Sequence, residues 1–151
     1  MDIFNPSSTS TDGLEFEYEE EKKVILVVDD NATTLRGIKN ILEKHYEVIL
    51  ANSGTKAIAQ ISRKKPDLIL LDYEMPVCDG KQTFEMIRSD EDMADIPVVF
   101  LTGVNDKAHI HAVLKLMPAG YMLKPYEPEK LLAIIEKVLY GELGVSDHSD
   151  E

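Results

Sequence analysis

Between residues 22 and 140 the chain alternates short apolar, β-branched runs with longer amphipathic stretches. Five runs stand out as strands: Val24–Val28, Glu47–Ala51, Asp67–Leu71, Pro97–Leu101 and Gly120–Leu123. Helical spacing follows each of them. The first helix runs from about Ala32 to Lys44 with Leu35, Ile38 and Leu42 on one face. The second runs from about Gly54 to Lys64, capped by Ser53, and turns Ala57, Ile58 and Ile61 inward. A third follows Asp79-Gly80 and presents Thr83, Phe84 and Ile87, and a fourth, about Asp106 to Leu116, offers Ile110, Val113 and Leu114. The fifth opens at Pro128, where a missing N–H costs nothing, and carries Leu131, Ile134, Ile135 and Val138. Strands that alternate with helices of this length pair in parallel, because a parallel connection needs a crossover. The first, third and fourth strands are apolar almost throughout, as strands covered on both faces must be. The pattern predicts an α/β fold, (βα)5, with a doubly wound parallel sheet of five strands.

Charge changes the picture at the ends. The 151 residues carry a net charge of −12, yet residues 22–140 contribute only −1 of it. Residues 1–21 hold seven acids and no Lys or Arg, and residues 141–151 hold four acids and no Lys or Arg. Both ends read as disordered acidic tails flanking one domain at 22–140. No basic stripe opposes the repulsion from nucleic-acid phosphates, so direct nucleic-acid binding is not expected. No apolar run reaches the roughly 20 residues of a membrane span, and the N-terminus lacks the basic and apolar regions of a secretory signal. With a single cysteine, Cys78, there is no disulfide framework. A cytoplasmic protein that does not contact a membrane is the expectation.

The strand ends carry the chemistry. Asp29-Asp30 follow the first strand, Asp72 the third, Thr102 the fourth and Lys124-Pro125 the fifth. Open α/β sheets bind ligands outside the carboxyl ends of their strands, where the strand order reverses. In the order 2-1-3-4-5, three carboxylates, a hydroxyl and an ammonium converge there. Two carboxylates about 5 Å apart repel by about 3 kcal/mol at an effective dielectric of about 20. A cation relieves that cost, and Mg²⁺ is the hard, oxygen-seeking choice. Cys78 is alone, and His109 and His111 lie two apart on a helix and point in different directions, so no soft-metal site is expected. A carboxylate beside Mg²⁺ can attack phosphorus and form an aspartyl phosphate, with charge stabilised by the metal, Lys124 and Thr102. Asp72, flanked by groups from both neighbouring strands, is the expected nucleophile.

The segments VILVVDD, LILLDYEMPVCDG, PVVFLTG and YMLKPYEPEKL stand in this order across residues 24–131. They resemble the four signature blocks of the receiver domain of two-component response regulators, and the likeness covers about residues 23–140. It implies a flavodoxin-like sheet in the order 2-1-3-4-5. It further implies that Asp72 is the phosphoacceptor, and that Mg²⁺ is held by Asp30, Asp29, Asp72 and the backbone carbonyl of Glu74. Thr102 and Tyr121 become a switch pair, Lys124 holds the phosphoryl group, and the bond to Pro125 is cis. The implied partners are a histidine kinase or phosphotransfer protein upstream and a downstream protein on the face of helix four, strand five and helix five. A phosphorylation-dependent homodimer belongs to the same expectation. Lys107, His111 and Lys115 form a weakly basic stripe on helix four that reads either as a solvated face or as part of that docking surface.

Two positions depart from the family pattern. Met117, followed by Pro118, stands where a glycine is usual four residues before Tyr121, so the turn there is expected to differ. Gly103 replaces a small alanine after the switch hydroxyl and is expected to loosen that loop. Two other function classes share parts of the pattern. One is a receiver-like interaction module that works without phosphorylation. The other is an Mg²⁺-dependent phosphohydrolase, but such enzymes place the nucleophile after their first strand in a D-x-D arrangement with a cap domain. Here adjacent aspartates end the first strand and no room remains for a cap. The expected protein is therefore a phosphoacceptor switch and not an enzyme in the ordinary sense. Only 11 residues follow Tyr140, so either a stand-alone receiver or a piece of a longer chain is expected.

Overall fold

The computed structural model describes residues 21–75, 79–103, 107–124 and 126–141, so both acidic ends, Cys78 and Pro125 lie outside the described residues. Five strands and five helices alternate: β1 (Val24–Val28), α1 (Ala32–Leu42), β2 (Glu47–Ala51), α2 (Gly54–Arg63), β3 (Leu68–Asp72), α3 (Gly80–Ser89), β4 (Val98–Thr102), α4 (Lys107–Lys115), β5 (Gly120–Leu123) and α5 (Pro128–Tyr140). All strand pairs are parallel and the sheet order is β2-β1-β3-β4-β5. The flavodoxin-like topology read from the sequence is the one observed.

Side-chain alternation along each strand divides the core into two layers. Leu26, Val28, Ile69, Leu71, Val98 and Phe100 face α2, α3 and α4 through Ala57, Ile61, Phe84, Ile87 and Val113. Their neighbours Ile25, Val27, Leu68, Leu70, Val99 and Leu101 face α1 and α5 through Leu35, Ile38, Leu42, Leu131 and Ile135. Every residue of β1, β3 and β4 is buried, whereas the edge strands β2 and β5 are mostly half-buried. Phe100 sits at the centre of one layer, with Tyr73 edge-on at 5.4 Å and Phe84 at 5.3 Å between ring centroids. Among the described residues no helix is long and apolar enough to cross a membrane.

Two strand boundaries differ from the sequence reading by one residue, and the difference bears on the site. Asp67 does not open β3. Its carboxylate accepts the Val24 N–H at 2.7 Å, so it caps the start of the neighbouring strand. β3 and β4 instead run one residue further and end on Asp72 and Thr102 themselves. Asp72 is paired with Leu101 and Thr102 with Leu123, which places both candidate site residues on backbone fixed by the sheet and not on loops.

The turn after α4 also repays comparison with expectation. Met117 adopts φ 56°, the left-handed conformation that glycine takes at no steric cost, and its side chain is 80% exposed. Its N–H donates to the Leu114 carbonyl at 2.9 Å, which closes the helix end. The backbone is thus of the kind glycine favours, and the departure lies in the strain and in an unburied apolar side chain. Left-handed geometry costs an ordinary residue about 1–2 kcal/mol, and part of the relief is lost to the greater freedom of glycine in the unfolded chain. Met117→Gly is expected to stabilise the fold by about 0.5–1 kcal/mol, read as a higher urea midpoint with an unchanged slope.

Candidate functional site

The carboxyl ends of β1, β3, β4 and β5 meet on one rim. Asp29 follows β1 directly and is 1% exposed; its own N–H donates to the Ala51 carbonyl at 3.1 Å. One carboxylate oxygen of Asp29, Oδ1, accepts the Asn31 N–H at 2.9 Å, while the Asn31 side chain caps α1 by accepting from the Thr34 N–H at 2.9 Å. Asp30, the next residue, is exposed and open to solvent. Asp72 is 2% exposed, and its Oδ1 accepts the Glu74 N–H at 3.2 Å. Lys124 enters from just beyond β5, anchored by its N–H to the Thr102 carbonyl at 2.7 Å. Its Nζ lies 2.8 Å from Asp29 Oδ2 and 3.3 Å from Asp72 Oδ1, bridging the two buried carboxylates.

That bridge does not balance the site. Oxygens of Asp29, Asp30 and Asp72 lie within 4.8 Å of one another, the one such cluster among the described residues. At that separation two full charges repel by about 3 kcal/mol for an effective dielectric of about 20. Burial, and then the negative charge of Asp29, push the Asp72 carboxyl up to about 6, against the opposing pull of Lys124 and the Glu74 N–H. Burial disfavours the Lys124 ammonium, but its hydrogen bond to Asp29 and the charges of Asp72 and Asp29 outweigh that and raise it above its ordinary range. Three carboxylates and one ammonium leave an excess of negative charge in a pocket of hard oxygen donors, open at Asp30. These residues fit Mg²⁺, which prefers carboxylate oxygen and keeps several waters.

α3 supports Asp72 from beneath. A capping box fixes its start: Asp79 accepts the Gln82 N–H at 2.8 Å and the Gln82 side chain accepts the Asp79 N–H at 3.1 Å. The Gly80 N–H then donates to the Tyr73 carbonyl at 3.0 Å. A Cβ on Gly80 would lie 2.5 Å from both the Asp72 carbonyl oxygen and the Tyr73 Cα. Both are backbone atoms of the strand end that carries the carboxylate, so they cannot yield cheaply. The sequence pattern places Asp79-Gly80 ahead of the third helix, whereas Gly80 is its first residue and Asp79 its cap. The available signal was a glycine opening a helix, where the chain ordinarily prefers a residue with a side chain.

The remaining expected residues divide clearly. Thr102 is fully buried at the end of β4. Glu74 brings its backbone to Asp72 through the N–H, and its carboxylate leans towards Gly103, 3.6 Å from where a Cβ would stand. Tyr121 is half-buried and packs with Leu116 against the layer that contains Phe100 and Val113. The cis bond expected at Pro125, and the loop expected to loosen at residues 104–106, fall outside the described residues. On α4, His111, Leu114 and Lys115 are exposed.

A family model described as the response regulator receiver domain matches residues 25–136. The hybrid signal transduction histidine kinase D of Dictyostelium discoideum is 36% identical over 121 residues, covering 78% of this chain and 8% of its own. The phosphate regulon transcriptional regulatory protein PhoB of Pseudomonas aeruginosa is 36% identical over 118 residues, covering 78% of this chain and 52% of its own. Among solved structures, the chemotaxis protein CheY4 of Vibrio cholerae superposes with a TM-score of 0.73 at 27% identity, over 78% of this chain and 99% of that one. The chain belongs to the response regulator receiver domain family. The chain spans 8% of the length of the Dictyostelium kinase and 52% of that of PhoB, so the activities of those whole proteins remain theirs.

Two outcomes follow from the geometry. Asp72 binds its proton more tightly folded than unfolded, so the metal-free fold loses stability as the pH rises from about 4 through about 6. Asp72→Asn removes the buried charge and is expected to stabilise the metal-free chain by about 1–3 kcal/mol at pH 7.5, with the gain shrinking at pH 4.5, as read by urea denaturation at both values. Gly80→Ala is expected to destabilise by about 1–3 kcal/mol, with shifted amide resonances at Asp72 and Tyr73 in a ¹⁵N spectrum.

Proposed function

We propose that this receiver domain is a phosphorylation-controlled switch whose phosphoacceptor is Asp72. The observation that carries the reading is the arrangement around that carboxylate: it is buried at a strand end, beside Asp29 and Asp30, and in contact with Lys124. An Asp72 oxygen attacks the phosphorus of a phosphohistidine on a histidine kinase or phosphotransfer protein, or of a small phosphodonor. The new O–P bond forms as the donor's bond to phosphorus breaks: P–N in a phosphohistidine, whose electron pair leaves with the imidazole, which takes up a proton, or P–O in an acyl phosphate, whose electron pair leaves with the carboxylate. Asp29, Asp30, Asp72 and the Glu74 carbonyl would hold Mg²⁺, which when bound offsets charge on the phosphoryl oxygens.

The chain's own residues do the rest. Lys124 exchanges its contact with Asp72 for one with a phosphoryl oxygen, and the Thr102 hydroxyl donates to another. Drawing Thr102 towards the phosphoryl group frees space behind it, and Tyr121 turns inward on the same side of the sheet. The affected surface is that of α4, β5 and α5, where His111, Leu114 and Lys115 are exposed. A partner that binds one arrangement better than the other then biases the equilibrium, and a second copy of the domain is one such partner. The chain is thus a signalling switch that takes part in its own modification and does not turn over an external substrate.

Intact mass after incubation with acetyl phosphate tests this. A single phosphoryl adduct is expected with Mg²⁺ present, lost on chelation and absent in Asp72→Asn. Thr102→Ala is expected to slow adduct formation by about 10-fold or more. An adduct that persists in Asp72→Asn would overturn the assignment, and no adduct under any condition would point to a phosphorylation-independent interaction module.

A further inference from the structure

The outer edge of β2 is the weak point of the sheet's cover. Glu47 donates its N–H to Lys23 and Ala51 accepts from the Asp29 N–H, so the odd-numbered residues of β2 turn their backbone groups towards β1. By alternation the groups of Val48 and Leu50 point outward, and the Gln60 side chain reaches only one of them, the Leu50 carbonyl at 3.3 Å. Among the described residues no strand pairs with this edge. Val48, Ile49 and Leu50 are only half-buried there, an apolar edge of the kind that proteins ordinarily cover or charge. A groove of about 390 Å³ runs along it, lined by Leu35 and Leu50 on the α1 side and by Lys56 and Arg63 on the α2 side.

The chain that precedes β1 approaches this edge. Glu21 and Lys22 line a hollow with Tyr46, Glu47 and Lys64, at the start of β2 and the end of α2. Upstream, residues 14–19 read Leu-Glu-Phe-Glu-Tyr-Glu, a strict alternation of apolar, mostly aromatic residues with glutamates. That is the pattern of a strand with one apolar and one acidic face. We propose that residues 14–19 add to the free edge of β2 as an antiparallel sixth strand. Leu14, Phe16 and Tyr18 share the face of Val48 and Leu50, against Leu35 of α1. Glu15 and Glu17 fall on the opposite face, towards Lys56 and Arg63.

Reach and charge both favour this segment of the same chain as the occupant. Crossing from the added strand to β1 passes two strand spacings, about 10 Å, and four residues reach about 13 Å. Residues 19–23 therefore suffice, and antiparallel addition brings the added strand's end to the start of β1. The acidic run meets the basic flank of α2, where Lys64 already pairs with Glu47 at 2.8 Å. Recognition follows the strand-addition mode, with backbone hydrogen bonds for affinity and alternate side chains for register.

Amide hydrogen exchange on the full chain, followed by NMR at two protein concentrations, tests the proposal. The amides of Phe16 and Tyr18, which face β2 in this pairing, and the outward amides of Val48 and Leu50 are expected to be protected at least 10-fold over unstructured rates, at both concentrations and in a monomer by light scattering. Phe16→Pro is expected to remove both sets of protection while Ile69 and Leu70 in β3 keep theirs, which shows that the fold is intact. Unprotected rates across 14–19 in the unaltered chain, or Val48 and Leu50 amides indifferent to Phe16→Pro, would overturn it. Protection that grows with concentration alongside a dimer would also overturn it, by assigning the added strand to a second copy.

Discussion

The constraint on which the rest depends is the placement of like charges where water cannot screen them. Asp29 and Asp72 end up almost fully buried because the strands that carry them are buried along their whole length. A single ammonium, delivered from the far edge of the sheet, touches both. Everything around the site either holds these groups in place or leaves a route for more positive charge. Asn31 and Glu74 donate backbone N–H groups to the two carboxylates, and Asp30 keeps one side of the cluster open to solvent. Such a site stores unfavourable energy in its metal-free state, and binding a cation or transferring a charged group changes that energy by more than a surface site could.

Rigidity comes from the sheet. Asp72 and Thr102 are ladder residues, and Lys124 is tied to Thr102 through the backbone, so three functional groups share one hydrogen-bonded framework. α3 adds the remaining restraint by pressing Gly80 against the Asp72–Tyr73 peptide. Tyr121 is half-buried on an edge strand, and on α4 His111, Leu114 and Lys115 are exposed. The architecture separates a rim set on the sheet ladder from a less buried outer face.

Most of this was legible in the sequence, because the information was periodic. Apolar alternation every second residue and helical spacing between the runs gave the parallel sheet, and polar residues at the ends of apolar runs gave the rim. The details that escaped were those set by packing between distant segments. Asp67 looked like a strand residue, yet its carboxylate serves β1. The closeness of Gly80 to Asp72 cannot be read from either residue alone. At Met117 the residue type pointed to a particular turn without its geometry, which is a left-handed backbone with an exposed side chain. The pairing of Lys124 with both carboxylates needed the sheet order before it could be seen.

The Lys124–Asp29 contact joins residues 95 positions apart. Its length has a consequence for synthesis. As the chain emerges from the ribosome, the two buried aspartates and the strands that carry them are complete long before their counter-charge exists. Until β5 docks, β4 is an open edge, apolar up to Thr102, and Asp29 and Asp72 lack the Lys124 ammonium. Closing that edge and bringing the ammonium to that rim are one event, performed by the same short segment. A nascent or truncated chain lacking it has neither a finished sheet nor the ammonium that bridges Asp29 and Asp72.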